Sequence, residues 1–225
     1  MNFSFGLVTC GEDSQRIKEV IDSIYSQNIP NYEIIIVGGE AGVIEPLNEN
    51  RCKFTHLSFD ETIVPSGWIT KKKNIITAHA IYDDVVYSHD YHVFQNDWYK
   101  NFLEFGNKWH VCVNAIQNIR GERFRDWVTW DHPDLGRQCE IDYDDDTKIK
   151  HQYISGGHWV AKRATMLFNP LHEGYNRETQ YDDVEWSLRI RERLQIVMNK
   201  NSIVRHNKVH KETDTRGYFS SNIKP

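Results

Sequence analysis

Asp90 and His92 stand two residues apart in the stretch YSHDYHVF, residues 87–94, directly after an apolar run. In an extended segment such residues project to the same side, so a carboxylate and an imidazole would face one point. That pair can hold a divalent ion, and the nitrogen favours Mn2+ over Mg2+. Two ligands do not define a site, and a polar surface loop with hydrogen-bonded histidines accounts for the same residues. A second candidate is QYDDVEWSLRI, residues 180–190, with Asp182 and Asp183 at a helix start. A carboxylate there could take a proton from a hydroxyl. Asp182 followed three residues later by Glu185 is also a capping-box pattern, which alone explains the acids. The two roles are compatible, since the helix dipole favours an ionised carboxylate near its N-terminus. In ISGGHWVAKR, residues 154–163, Gly156 and Gly157 would let a ligand approach the backbone closely. His158 and Trp159 stand beside them, readable as sugar contacts or as a surface histidine and a core aromatic. YDD recurs at 82–84 and 143–145, so the tripeptide carries little information and its position decides.

These side chains can act together only if the fold delivers them to one edge. Residues 3–9, FSFGLVT, read as a strand, followed by a polar turn and a helix whose apolar positions Ile17, Val20, Ile21 and Ile24 repeat at helical spacing. Pro30 follows as a stop. EIIIV at 33–37 is too apolar to face water on either side and ends at Gly38 and Gly39, which fits a buried parallel strand. Strand, helix and strand make a right-handed βαβ unit. A second pass gives a strand at 53–59, a helix over 67–81 with Ile69, Ile76 and Ala80 on one side, and a strand at 84–88. Further elements are a helix at 97–106, a strand at 110–116, the strand WVAK at 159–162, a helix from residue 182, and paired strands at 195–198 and 202–206. Residues 118–150 read as an irregular polar stretch, its acidic run at 142–146 as a solvated loop. The elements describe an α/β domain with a mixed, mostly parallel central sheet flanked by helices. In such sheets ligands bind outside the carboxyl ends of the strands, the edge to which 85–87 would bring Ser88, His89, Asp90 and His92.

Composition narrows the partners. A chain of 225 residues suits one domain with one core. Twenty-seven basic against thirty-two acidic residues give a net charge of -5, which excludes counterion-driven binding to nucleic acid. Cys10, Cys52, Cys112 and Cys139 form no CxxC pair and are expected as reduced core thiols. No apolar run is long enough to cross a bilayer, and no basic leader opens the chain, so a soluble cytoplasmic protein without a transmembrane segment is expected. Seven Trp, eleven Tyr and ten Phe would suit stacking against sugars or bases.

The succession FSFGLVTCGEDSQRIKEVIDSIYSQNIPNYEIIIVGG, KKKNIITAHAIYDDVVYSHDYHVF and YDDVEWSLRI resembles the order of motifs in the large family of inverting, GT-A-fold glycosyltransferases that use nucleotide sugars. The resemblance leaves out about 41–66 and 95–151. It implies a single Rossmann-like GT-A domain over 1–225, with a nucleotide-binding half at about 1–94 and an acceptor-binding half at about 95–225. It also implies transfer of a sugar, with inversion, from a nucleotide-sugar donor, UDP-sugars being favoured, to a glycan or other hydroxyl acceptor. Thr9 would lie at the base-receiving loop, Lys73 and Asn74 at the helix before the metal motif, and Ser88, His89 and Asp90 in the D-x-D place. Gly38 and Gly39 replace the family's nucleoside-contacting carboxylates, so either Glu40 or Glu12 would have to substitute or the contact is absent. Asp90-Tyr91-His92 resembles the D-x-H of polypeptide N-acetylgalactosaminyltransferases, in which a later histidine completes the metal shell. His206 matches that histidine and His210 is the second choice, with Mn2+ or Mg2+ as the ion. Asp183 would be the base and Asp182 would orient the acceptor, while Gly156, Gly157, His158 and Trp159 would contact sugar. A catalytically silent nucleotide-sugar or glycan-binding module, or a metal-dependent phosphohydrolase, stands as the alternative. Residues 118–151 are where acceptor recognition is expected.

Overall fold

The β-branched runs of the first half form strands β1 (Phe3–Val8), β2 (Tyr32–Val37), β3 (Lys53–Leu57) and β4 (Asp84–His89). In the computed structural model residues 1–62, 68–174 and 182–208 are described, with backbone alone for Asp146 and Asp182. Helix α1 (Ser14–Tyr25) starts at Asp13, whose side chain accepts the Arg16 N–H, and it buries Ile17, Val20, Ile21 and Ile24. A short α2 (Ala41–Ile44) follows β2, and α3 (Ile69–His79) precedes β4. The second half adds β5 (His92–Phe94), α4 (Trp98–Phe105), β6 (Val111–Gln117), β7 (Trp127–Thr129), β8 (Gln152–Ile154), β9 (His158–Lys162), α5 (Arg163–Phe168), α6 (Asp182–Ile190) and β10 (Ile196–His206).

Eight strands form one sheet in the order β3-β2-β1-β4-β9-β6-β10-β5. β1 pairs parallel with β2 and β4, β2 with β3, and β6 with β10. β9 runs antiparallel between β4 and β6, and β5 runs antiparallel along β10. The expected mixed, mostly parallel sheet flanked by helices is what forms. Alternation along β1 sends Phe3, Phe5 and Leu7 into a core with α1, Trp98 and Phe102, while Val8 joins Val37, Ile76, Tyr87, Trp159 and Trp186 in another. Gly6 has no side chain because α3 crosses there: a Cβ would sit 2.2 Å from Ile76 Cγ2.

Three expectations from the sequence are corrected by the structure. The strands expected at 195–198 and 202–206 do not pair with each other. They are one strand, β10, parallel to β6 with a register shift between Asn199 and Ile203. The shift closes on Asn199, whose Oδ1 accepts the Asn201 and Ser202 N–H groups. Within 118–150, β7 pairs with β8. That segment is organised by buried Asp126, which accepts from the Ile116 and Trp127 N–H groups, Arg123 Nε and the Tyr143 hydroxyl. Of the four cysteines only Cys112 is buried, and Cys10 is exposed, which corrects the expectation of core thiols. Among the described residues no helix is long and apolar enough to cross a membrane.

Candidate active site

The carboxyl ends of β1, β2 and β4 form one rim, because these strands run parallel in register with Val8 opposite Val37 and His89. Thr9 follows β1, is buried, and donates its hydroxyl to Asp90 Oδ2 at 2.6 Å. Its carbonyl accepts from Lys72 Nζ at 2.7 Å, and the same ammonium donates to Glu61 Oε1 at 2.6 Å. Lys72 is fully buried, so the carbonyl and the carboxylate compensate its desolvation. Gly38 closes this corner with φ of +101°, and a Cβ there would lie 2.0 Å from the Thr9 carbonyl oxygen. Gly38→Ala is therefore expected to destabilise the protein by about 3 kcal/mol or more, read as a lower urea midpoint at unchanged slope.

The residues expected to supply nucleoside carboxylates flank this corner, where the backbone at Gly11 comes close to that of Gly39 and Glu40. Glu12 and Glu40 are exposed, and the Glu40 carbonyl accepts the Val43 and Ile44 N–H groups of α2. The acid beside Gly38 is Glu61, which no sequence pattern marks because the chain after β3 lacks periodicity. Lys72 was findable: it stands one helical turn before Ile76 and so shares the inward face of α3. Lys73 is buried too, and its Nζ donates to the Gly156 carbonyl at 2.7 Å. Asn74 points elsewhere, exchanging hydrogen bonds with the Leu171 backbone and donating to Glu173. It pins the 171–173 segment, which corrects its assignment to donor binding.

Asp90 and Tyr91 form a turn between β4 and β5, so Asp90 and His92 do not share one extended segment. The Asp90 carboxylate accepts from Thr9 and lies 3.4 Å from Arg16 Nη2 through each oxygen. His92 faces His206 across the β5–β10 ladder, with ring centroids 5.3 Å apart, and also packs on His158 at 5.7 Å. Burial, and then the neighbouring His158 and His206, hold the His92 imidazole well below its usual range and keep it neutral. Its Nδ1 is buried without a hydrogen-bond partner. Among the described residues no three His, Cys, Asp or Glu side chains gather as a metal ion requires, and His210 lies outside the described residues. Asp90 is committed to Thr9 and Arg16, whereas Mn2+ or Mg2+ takes about six largely oxygen donors. Asp90, His92 and His206 therefore do not fit the expected ion as a ligand set.

The turn at Gly156 and Gly157 is the meeting point of the site. Asp183, in the first turn of α6, accepts the Gly156 N–H at 3.0 Å. A Cβ on Gly156 would come within 3.1 Å of Asp183 Oδ2, and one on Gly157 within 2.7 Å of His92 Cε1. The glycines thus admit the Asp183 carboxylate and the His92 ring, rather than a sugar as the sequence suggested. The Gly157 carbonyl accepts the His89 N–H at 3.0 Å, which ties the turn to the end of β4. α6 is held in place from below, where Ser187 Oγ accepts the Ile154 N–H of β8 and Val184 packs on Val128 and Tyr153. Glu185 pairs with Arg189 Nε at 2.8 Å. Asp182 opens α6, and its side chain lies outside what is described.

His158 and Trp159 are core residues, which corrects their assignment as sugar contacts. Trp159 is stacked on Tyr87 at 4.4 Å and lies 4.8 Å from Trp186. His158 is fully buried, with Nε2 3.0 Å from Asn114 Oδ1 and Nδ1 3.2 Å from Ser88 Oγ. Asn114 Oδ1 also accepts from Trp98 Nε1, so His158 must donate from Nε2 and accept from Ser88 at Nδ1. Ser88 is turned inward by this bond. Burial pushes the His158 imidazole down to about 3.

No family model and no curated protein matches this chain. Solved structures do. Residues 1–349 of S. aureus TarS in complex with UDP-GlcNAc superpose with a TM-score of 0.67 at 15% identity, over 98% of this chain and 62% of that one. A second structure of S. aureus TarS 1–349 gives 0.66 at 14% identity, over 92% of this chain and 60% of that one. GalNAc-T7 with UDP, GalNAc and Mn2+ gives 0.64 at 12% identity, over 92% and 44%. The chain thus spans less than two thirds of the length of each. TarS and GalNAc-T7 are glycosyltransferases, and what this chain shares with them at such low identity is the architecture: its α/β sheet and flanking helices have the GT-A fold.

Proposed function

We propose that this chain is a glycosyltransferase that moves a sugar from a nucleotide-diphosphate donor, a UDP-sugar in the first instance, to a hydroxyl acceptor with inversion. One observation carries the reading: at the carboxyl edge of a GT-A sheet, the Asp183 carboxylate and buried Lys73 converge on one glycine turn. Uridine nucleotides in TarS and GalNAc-T7 support the choice of donor. Residues 1–94 would supply the donor half, with Thr9, Glu61 and Lys72 around the nucleoside corner, and residues 95–225 the acceptor half. Asp183 would accept the proton of the acceptor hydroxyl as it attacks the anomeric carbon, while the nucleoside diphosphate departs from the opposite face. The Gly156 N–H fixes the carboxylate at 3.0 Å, so the base is oriented before substrate arrives. Lys73 would hold the turn and place positive charge toward the leaving diphosphate.

Incubation with a panel of UDP-, dTDP- and GDP-sugars and a mixed set of hydroxyl acceptors tests this reading, with released nucleoside diphosphate as the readout. Acceptor-dependent release is expected from one donor class. Binding without release across the panel would leave a nucleotide-sugar-binding module, and nucleoside monophosphate among the products would mark a phosphohydrolase.

A further inference from the structure

We infer that Arg16 stands where a divalent cation would, as the counter-charge for the donor diphosphate, so that nucleotide binds to this chain without metal. The inference rests on the proposed glycosyltransferase reading. Asp90 is the one carboxylate left in the D-x-D register, and it is 7% exposed. Arg16 reaches it from α1 with Nη2 3.4 Å from both carboxylate oxygens and Nε 3.3 Å from the Asp90 carbonyl. A fixed guanidinium charge therefore sits against the carboxylate that a cation would use. Ser88 occupies the other register position, brings no charge, and is bonded inward to His158.

The guanidinium is not consumed by this contact. Its side chain is 22% exposed, and Nη1 makes a looser ion pair with Asp13 at 3.6 Å. Arg16 lines a cavity of about 390 Å³ between α1 and the end of β10, shared with Asp13, Glu19, Arg205 and Asn207. A planar guanidinium fork is the side chain best suited to bind phosphate oxygens bidentately.

The test is calorimetric titration of the full chain with UDP, dTDP and GDP, in EDTA and again with Mn2+, alongside uridine as a phosphate-free probe. The expected result is binding of one nucleotide in EDTA, with Mn2+ changing its Kd by less than about threefold. Arg16→Ala should weaken that nucleotide by about tenfold or more while leaving uridine unchanged, and Arg16→Lys should recover part of the loss. A purely structural Arg16 would instead lower the melting temperature and weaken nucleotide and uridine alike, overturning the inference. Binding that appears with Mn2+ and vanishes in EDTA overturns it too, yet leaves the glycosyltransferase reading intact. Failure of every nucleotide under both conditions sinks the glycosyltransferase reading and this inference with it.

Discussion

Asp183→Asn is expected to bind UDP as the parent does and to lose transfer by about 10²- to 10⁴-fold, the usual contribution of a positioned general base. The exchange is nearly isosteric. An amide oxygen can still accept the Gly156 N–H that Asp183 accepts at 3.0 Å, while the bond that the other carboxylate oxygen accepts from the Val184 N–H at 2.9 Å is given up, so the glycine turn keeps its place. What disappears is the capacity to take a proton. Asp183→Glu is a complementary probe: Gly156 already lies so close that a Cβ there would meet Asp183 Oδ2 at 3.1 Å, so a longer acid must move its carboxylate and lose most of the activity. Nucleoside diphosphate release measured beside UDP affinity separates the steps. Full turnover by Asp183→Asn would remove this carboxylate from the mechanism.

Lowering the pH from about 7.5 to about 5 is expected to weaken the fold well before the carboxylates titrate. His158 is buried as the neutral imidazole, depressed to about 3 by its burial. In the unfolded chain it protonates near 6.5, so the unfolded state takes the proton first. Its contribution to stability is complete above about 6.5 and is lost as pH falls toward the folded value. At pH 5 the loss is about 2 kcal/mol for this one residue, a sizeable share of the roughly 5–15 kcal/mol that holds a domain folded. His92, buried beside it and also held neutral, pushes in the same direction. Urea unfolding at several pH values should show the decline, and His158→Gln should flatten it by about one proton's worth. A midpoint constant from pH 7.5 to 5 would contradict the buried, neutral assignment.

Much of the scaffold was legible, for a physical reason. EIIIV and DVVYS can only be strands buried on both faces, and the spacing of Ile17, Val20, Ile21 and Ile24 can only be one face of a helix. What escaped was held by non-local polar contacts. β7 has three residues and exists because Asp126 collects donors from Ile116, Arg123 and Tyr143. β5 exists because β10 returns to pair with it, which no local pattern announces. The candidate site divides along the same line. Asp183 and the glycine turn were readable as a motif, and the structure brings them together. Arg16 and Glu61 matter through their partners on other elements, and a single sequence does not display partners. His158 and Trp159 misled because adjacency to a glycine turn says nothing about which way a strand's side chains face.

β4 is bonded along one flank to β1 and along the other to β9. It therefore joins the strands of the first half of the chain to those of the second, and no hinge can open between them without tearing the five residue pairs of the β4–β9 ladder. Relative motion of the two halves has to come from segments outside the sheet, with the sheet itself serving as a fixed jig.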